Sequence, residues 1–367
     1  MDDLIVFGDS HSSALRHEVG VALPDEAAYI ERQGRRYVLA GTFEVPRLRS
    51  ADPSLEVITF EDLGITDSLS EGKSAANAVR DALVRGCSQI GIETALVPDD
   101  FPLVAAEALR HAGISLRVDS DFFIERRRVK SEGELEGIRR AQRAGEAALE
   151  AICDRIRAEG DVDAAELRAL AWGAFAANAA LPHDMLIIAC GVQSALPHEE
   201  GSGPMNANEP IVIDIFPRDI VSGCWGDLTR TVCVGEAPDW LRRCHTDVRE
   251  AQRLATEKVK PGVTGAELNR IAAQYLADRG HPTRLDSSPE ELPTEGFIHV
   301  LGHGIGLDVH EAPWLGEGGA ALVPGDVISI EPGVYYADLG GVRLEDLVLV
   351  TDDGYEVITD CSYDLEL

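Results

Sequence analysis

The chain has 367 residues, 45% of them hydrophobic, and a formal net charge of −31 from 64 acids against 33 bases. That length fits two domains at roughly 100–200 residues each, and no apolar run approaches the ~18 residues needed to cross a bilayer. The acid excess is spread along the chain and opposes binding to nucleic acid or anionic membranes.

The first residues, MDDLIVFGDS, lack the basic-then-apolar order of a signal peptide, so a cytoplasmic location is expected. Residues 1–125 mix short strand-like runs (LIVF, RYVLAG, LEVITF, IGIETALV, ISLRV) with helical stretches at 75–86 and 101–112. This alternation predicts an α/β domain. It contains no phosphate loop and no dinucleotide fingerprint. The seven cysteines form no CxxC, which argues against a disulfide framework or a thiolate zinc site and reads as small buried hydrophobes.

A basic stretch, ERRRVKS, starts at Glu125, and residues 126–132 read as a linker with its arginines in solvent. Ser131 and Glu134 have capping-box spacing. The apolar positions from Leu135 to Ile156 keep helical steps of three or four. A second domain, 133–367, then runs one programme twice. Helices near 132 and 164–179 precede the strands IVIDIF (211–216) and GDLTRTVCV (226–234). Helices near 238–259 and 265–280 precede VISIEPGVYY (327–336) and GVRLEDLVLV (341–350). Each pass places one acid on each of its last two strands: Asp214 and Asp227, then Glu331 and Glu345.

Carboxylates inside apolar strands are costly unless paired, protonated or bound to metal. If the two halves pack face to face, the four acids converge and require a cation. Oxygen-rich sites with one imidazole suit manganese, iron, cobalt or zinc. Bridging carboxylates could hold two ions roughly 3.5–4 Å apart. Strand alternation puts Arg343 and Glu345 on one face and Asp346 on the other. It also groups Asp227, Thr229 and Thr231, so that Thr229 can support the site by hydrogen bonding. Imidazoles are at hand in HVLGHGIGLDVHEAP, residues 299–313.

In chain order, IVIDIF…GDLTRT, GHGIGLDVHEAP, ISIEPGVY and GVRLED resemble the pita-bread metallopeptidases: methionine aminopeptidase, aminopeptidase P and prolidase. The resemblance covers about residues 125–367. Residues 1–125, with the RRVKS junction, resemble the creatinase-type N-terminal domain of the proline-directed members. The implied fold is an α/β N-terminal domain followed by an α+β pita-bread catalytic domain with a pseudo-twofold internal repeat. The resemblance implies five metal ligands, Asp214, Asp227, His303, Glu331 and Glu345, holding two divalent ions, with manganese the first choice. Asp227 and Glu345 would bridge the ions, and Glu331 would also orient the attacking water and carry its proton. His310 would hold the substrate carbonyl and oxyanion. His198, in SALPHEEG, would line the substrate pocket, whereas the near-copy ALPHD makes His183 a decoy. His299 reads as a structural neighbour. Arg343 would bind substrate or tether the network. One departure is the spacing of thirteen between Asp214 and Asp227, where the family usually has eleven. This makes Asp219 a rival ligand, although it falls in the turn.

The resemblance implies hydrolysis of the bond before proline in short peptides, by a dipeptidase or an aminopeptidase. The compact N-terminal domain leans toward dipeptides, and a homodimer is the expected assembly. The competing readings are a creatinase-like amidinohydrolase and a metal-free pita-bread binding module. The complete ligand set argues against both. Separately, the acid-rich composition, with only Lys73, Lys130, Lys258 and Lys260 as lysines, resembles that of proteins from salt-accumulating microbes, haloarchaea above all.

Overall fold

The protein is described by a computed structural model covering residues 2–160, 162–285 and 292–367. It divides into two units, Met1–Arg127 and Arg128–Leu367.

The first unit is built on a six-stranded mixed sheet. Its strands are β1 (Leu4–Gly8), β2 (Ala27–Arg32), β3 (Arg35–Ala40), β4 (Glu56–Thr59), β5 (Thr94–Val97) and β6 (Ser115–Val118), in the order β4-β3-β2-β1-β5-β6. The helices are α1 (Ser13–Val19), α2 (Val45–Ala51), α3 (Ile65–Ser70), α4 (Ala75–Ile90), α5 (Leu103–His111) and α6 (Ser120–Arg128). Alternation along β1 feeds two cores. Ile5 and Phe7 join one with Leu83 of α4 and Leu109 of α5, while Leu4 and Val6 join the other with Leu15 of α1 and Leu48 of α2. A sheet covered on both faces explains why LIVF is apolar throughout. The strand β2 is not evident in the sequence, because Ala27 and Ala28 carry little strand preference. It becomes a strand by pairing on both sides, with β1 and β3. The run IGIETALV is only partly a strand, since α4 extends to Ile90 and ends on Gly91 at φ 86°.

The basic stretch is not a solvated linker. It is helical to Arg128, and Arg126 forks onto Glu18 at 2.6 and 2.8 Å. In the second unit, Arg128 pairs with the buried Asp326 at 3.0 and 2.7 Å, and Lys130 pairs with Glu311.

The second unit shows the two passes. α7 (Glu132–Glu159), which starts with the Ser131–Glu134 capping box, and α8 (Ala164–Ala177) pack on an antiparallel sheet. That sheet is β11-β9-β8, from β8 (Ile187–Cys190), β9 (Pro210–Ile215) and β11 (Leu228–Cys233). A two-residue pair, β7 (Ala180–Leu181) with β10 (Arg218–Asp219), lies in the same half. α9 (Asp239–Thr256) and α10 (Gly265–Asp278) share the second core. The second sheet is β13-β12-β14-β17-β18, from β12 (Gly302–Gly304), β13 (Glu311–Leu315), β14 (Val327–Ile330), β17 (Asp346–Val350) and β18 (Tyr355–Val357). A hairpin, β15 (Gly333–Tyr336) with β16 (Gly340–Arg343), stands beside it.

Two expected strands are broken. VISIEPGVYY stops at Ile330 and resumes at Gly333, while GVRLEDLVLV stops at Arg343 and resumes at Asp346. The breaks face each other, since Ile330 pairs with Asp346 on one side and Gly333 with Arg343 on the other. Pro332 has no N–H to continue the ladder. The Glu345 N–H instead donates across to Thr229 O at 3.0 Å, and Arg343 N donates to Thr231 Oγ1 at 3.0 Å. The two halves are therefore joined where the acids sit.

Candidate metal centre

Each half delivers its acids from a different backbone device. Asp214 sits inside β9, directly opposite Thr229 of β11 and Ile187 of β8. Asp227 precedes β11, and its N–H donates to Gln142 Oε1 of α7 at 2.9 Å. The adjoining Gly226 lies against the α7 backbone, where a Cβ would meet Gln142 N at 2.6 Å. His303 lies in β12 between two glycines that must stay bare. A Cβ on Gly302 would come within 2.1 Å of Ser329 O, and one on Gly304 within 2.2 Å of Ala312 O. Glu331 and Glu345 occupy the two facing strand breaks.

These side chains line one cavity of about 660 Å³, which takes in all eight predicted site residues together with His183 and His299. Asp227, His303 and Glu345 each offer a ligand atom, all within 4.8 Å of one another. His303 Nε2 lies 3.4 Å from Glu331 Oε1 and 3.9 Å from Asp227 Oδ2. Its Nδ1 lies 3.0 Å from Gly304 O, which assigns the proton to Nδ1 and leaves the Nε2 lone pair facing the acids. Thr229 Oγ1 donates to Glu345 Oε2 at 2.8 Å, and Ser329 Oγ to Oε1 at 2.5 Å. Asp346 faces away from the cavity and pairs with Arg230 at 2.8 Å.

The electrostatics of this cluster are unfavourable as it stands. Burial, reinforced by the charges of Glu345, Asp214 and Glu331, raises the Asp227 pKa well above the usual carboxylate range. Burial and Glu345 raise Glu331 likewise. Burial and Asp214 raise Glu345. His303 is driven to about 3 by burial and by His310, so it stays neutral. Asp214 gives one oxygen to Arg343, and its Oδ1 is buried with no hydrogen-bond partner. Crowded carboxylates, an orphaned buried oxygen and a neutral imidazole with its lone pair inward together fit divalent cations with oxygen-rich coordination.

The remaining residues form the walls. His310 meets His303 edge to face, with ring centroids 4.3 Å apart. Arg343 is built into the wall: beside Asp214 it reaches Tyr335 Oη at 2.9 Å, and Pro197 O and Thr229 Oγ1 at 3.3 Å. Of the two roles open to it in the sequence, this geometry is that of a tether. His299 is part-buried, with Nε2 3.0 Å from Tyr335 Oη and Nδ1 2.7 Å from Val300 O. Asp219 lies apart from the cavity, forked onto Arg140 at 2.9 Å and bonded to Ser222. The reading of His183 as a decoy does not match its position. It lines the same cavity as His198, braced against Phe216 and Trp225, and its Nδ1 accepts from Met185 N at 3.0 Å. The repeated ALPH was the signal for both. The apolar lining, notably Phe216 and Trp314, carried no sequence signal of its own.

Comparison with known proteins places this geometry in context. Residues 136–352 match the model of metallopeptidase family M24. An uncharacterized peptidase, YqhT, of Bacillus subtilis is 35% identical over 175 residues, a match that spans 47% of this chain and 46% of that protein. The Xaa-Pro dipeptidase of Pyrococcus horikoshii is 33% identical over 286 residues, covering 77% of this chain and 76% of that one. The crystal structure of the prolidase from the same organism superposes with a TM-score of 0.79 at 26% identity, over 100% of this chain and 95% of that one.

Proposed function

The chain belongs to metallopeptidase family M24, and from that membership we propose that it hydrolyses the peptide bond preceding proline in short peptides. The observation that carries the reading is the convergence of Asp214, Asp227, His303, Glu331 and Glu345 on one cavity from both halves of the repeat. These five residues would hold two divalent ions, manganese first, with Asp227 and Glu345 between them. Bound there, the ions supply Lewis-acid polarisation of the scissile carbonyl and a water of lowered pKa.

The chain's own residues do the rest. Glu331, which bound ions would hold as its carboxylate, would take a proton from the attacking water and return it to the departing proline nitrogen. His310 and His198 donate hydrogen bonds to the carbonyl as negative charge develops on its oxygen. Arg343 holds Asp214 in place. An Xaa-Pro amide lacks an N–H and has a fixed φ, so a site that grips the carbonyl suits it better than one that grips extended backbone.

The same reading extends to a homodimer. Among the described residues, no helix is long and apolar enough to cross a membrane. Seven free cysteines, six of them buried, suit a reducing cytoplasm, and the charge of −31 suits a salt-rich one. The test is hydrolysis of Xaa-Pro-containing peptides against their Xaa-Ala counterparts, before and after chelation and manganese restoration. Metal-dependent cleavage selective for proline supports the proposal. Equal cleavage of the alanine peptides, or activity indifferent to chelation, would remove it.

A further inference from the structure

The cavity contains, among the described residues, one permanent cation, Arg343, and that cation is committed to the wall. One Nη pairs with Asp214, the other donates to Tyr335 Oη and Pro197 O, and Nε donates to Thr229 Oγ1. The side chain is 4% exposed. The other charged groups lining the cavity are the four acids. His299 has both ring nitrogens at hydrogen-bond distance from protein groups, and the Nε2 of His303 faces Glu331 and Asp227. The N–H groups of His183, His198 and His310 can serve a neutral carbonyl as well as a carboxylate.

This bears on peptide length. In a free Xaa-Pro dipeptide the carboxylate carbon is three bonds from the scissile carbon, so it lies within about 4 Å of it. It must therefore enter the cavity, whose lining offers no free side-chain cation among the described residues and where the charge of two divalent ions would be offset by the four acids. A carboxylate buried without a counter-charge is strongly disfavoured. A peptide that continues past proline presents a neutral amide at that point, and its own carboxylate moves about 3.5 Å outward with each residue. The cavity provides an exit for it. Trp314 and Val300 line the cavity, yet are 51% and 37% exposed, which makes an apolar lip for the residue after proline.

We infer that the site acts on Xaa-Pro-Yaa and longer peptides in preference to free Xaa-Pro, releasing the N-terminal residue as an aminopeptidase. The inference rests on the proline-directed reading above, and it reverses the lean toward dipeptides drawn from the size of the N-terminal domain.

The experiment compares kcat/KM on manganese-restored protein for Xaa-Pro, Xaa-Pro-amide and Xaa-Pro-Yaa with one common Xaa. Matched Xaa-Ala, Xaa-Ala-amide and Xaa-Ala-Yaa are run beside them. Charged hydrogen bonds set the scale, so the amide and the tripeptide should each exceed Xaa-Pro by about ten-fold or more, chiefly through KM. Xaa-Pro turned over as well as its amide overturns the inference and leaves the proline reading standing. Xaa-Ala-Yaa turned over as well as Xaa-Pro-Yaa sinks the proline reading alone, because the acid-against-amide comparison in the alanine series still reports on the missing cation. Trp314→Ala should raise KM several-fold more for Xaa-Pro-Yaa than for Xaa-Pro-amide, since its contacts with His303 and His310 serve both substrates. Equal effects on both would overturn the placing of Yaa on the lip.

Discussion

Replacing Lys130 by methionine tests how the basic stretch supports the catalytic half. Lys130 and Glu311 form an ion pair with side chains only 3% and 4% exposed. The pair is packed against Gly306, where a Cβ would come within 2.5 Å of Glu311 Oε1 and 2.8 Å of Lys130 Cε. Glu311 Oε2 already lacks a hydrogen-bond partner. Removing the lysine therefore leaves a buried carboxylate with no counter-charge, a change that typically costs about 3–5 kcal/mol. At ~2.1 cal/mol/K per residue, the roughly 240 residues of the unit unfold with an entropy near 0.5 kcal/mol/K. The expected fall in Tm is then about 6–10 °C. Lys130→Met with Glu311→Leu should recover most of it, because the double variant buries no unpaired charge. Turnover should follow the same order, since Glu311 opens β13 immediately after His310. Calorimetry showing the single variant within about 2 °C of the parent, or the double variant as unstable as the single, would refute the reasoning.

Asp227→Ala or Glu345→Ala should lose all bound metal and His303→Ala mainly one ion, as read by elemental analysis; full occupancy in the Asp227 variant would contradict the ligand assignment. The stabilisation given by added manganese should grow from pH 5 to pH 8. Burial and the neighbouring Asp214 raise the Glu345 pKa on folding from 4.5 to about 7, so the metal-free protein is favoured below 4.5 and loses stability progressively as pH rises from 4.5 to about 7. Metal bound to the ionised site removes that loss; a Tm difference between loaded and stripped protein that is constant or narrows with pH would count against it. His198→Ala and His310→Ala should keep their metal and lose on the order of 10²–10³ in rate, and a rate within a few-fold of the parent would return them to a structural role. Stability should rise toward 1 M potassium chloride, where the Debye length falls to about 3 Å and surface acids no longer repel one another; a flat or falling melting curve would leave the charge of −31 unexplained.

What the sequence made legible follows from what costs free energy locally. A carboxylate inside IVIDIF is visible because burial penalises it, and the repeat of helices and strands is visible because apolar spacing is periodic. The breaks at Glu331–Pro332 and Leu344–Glu345 were less visible, because the flanking residues are apolar enough to read as continuous strands. Pro332 was the available warning, and the interruption matters because it turns the Glu345 N–H toward Thr229. His183 and His198 carry the same local signal, and nothing in one chain segment says that both reach one cavity. Arg343 shows the deeper limit. Its partners Tyr335, Pro197 and Asp214 lie 8, 146 and 129 positions away. Whether its charge is free for substrate or consumed by the wall is therefore decided by tertiary packing alone. Because that side chain is the only permanent cation lining the cavity among the described residues, its commitment bears directly on what can bind. Spent on Asp214 and Tyr335, it holds the centre together and leaves no free side-chain cation in the lining to receive a prolyl carboxylate. Substrate length, which the size of the N-terminal domain pointed one way, is on this geometry set the other way by three hydrogen bonds and an ion pair inside the catalytic half.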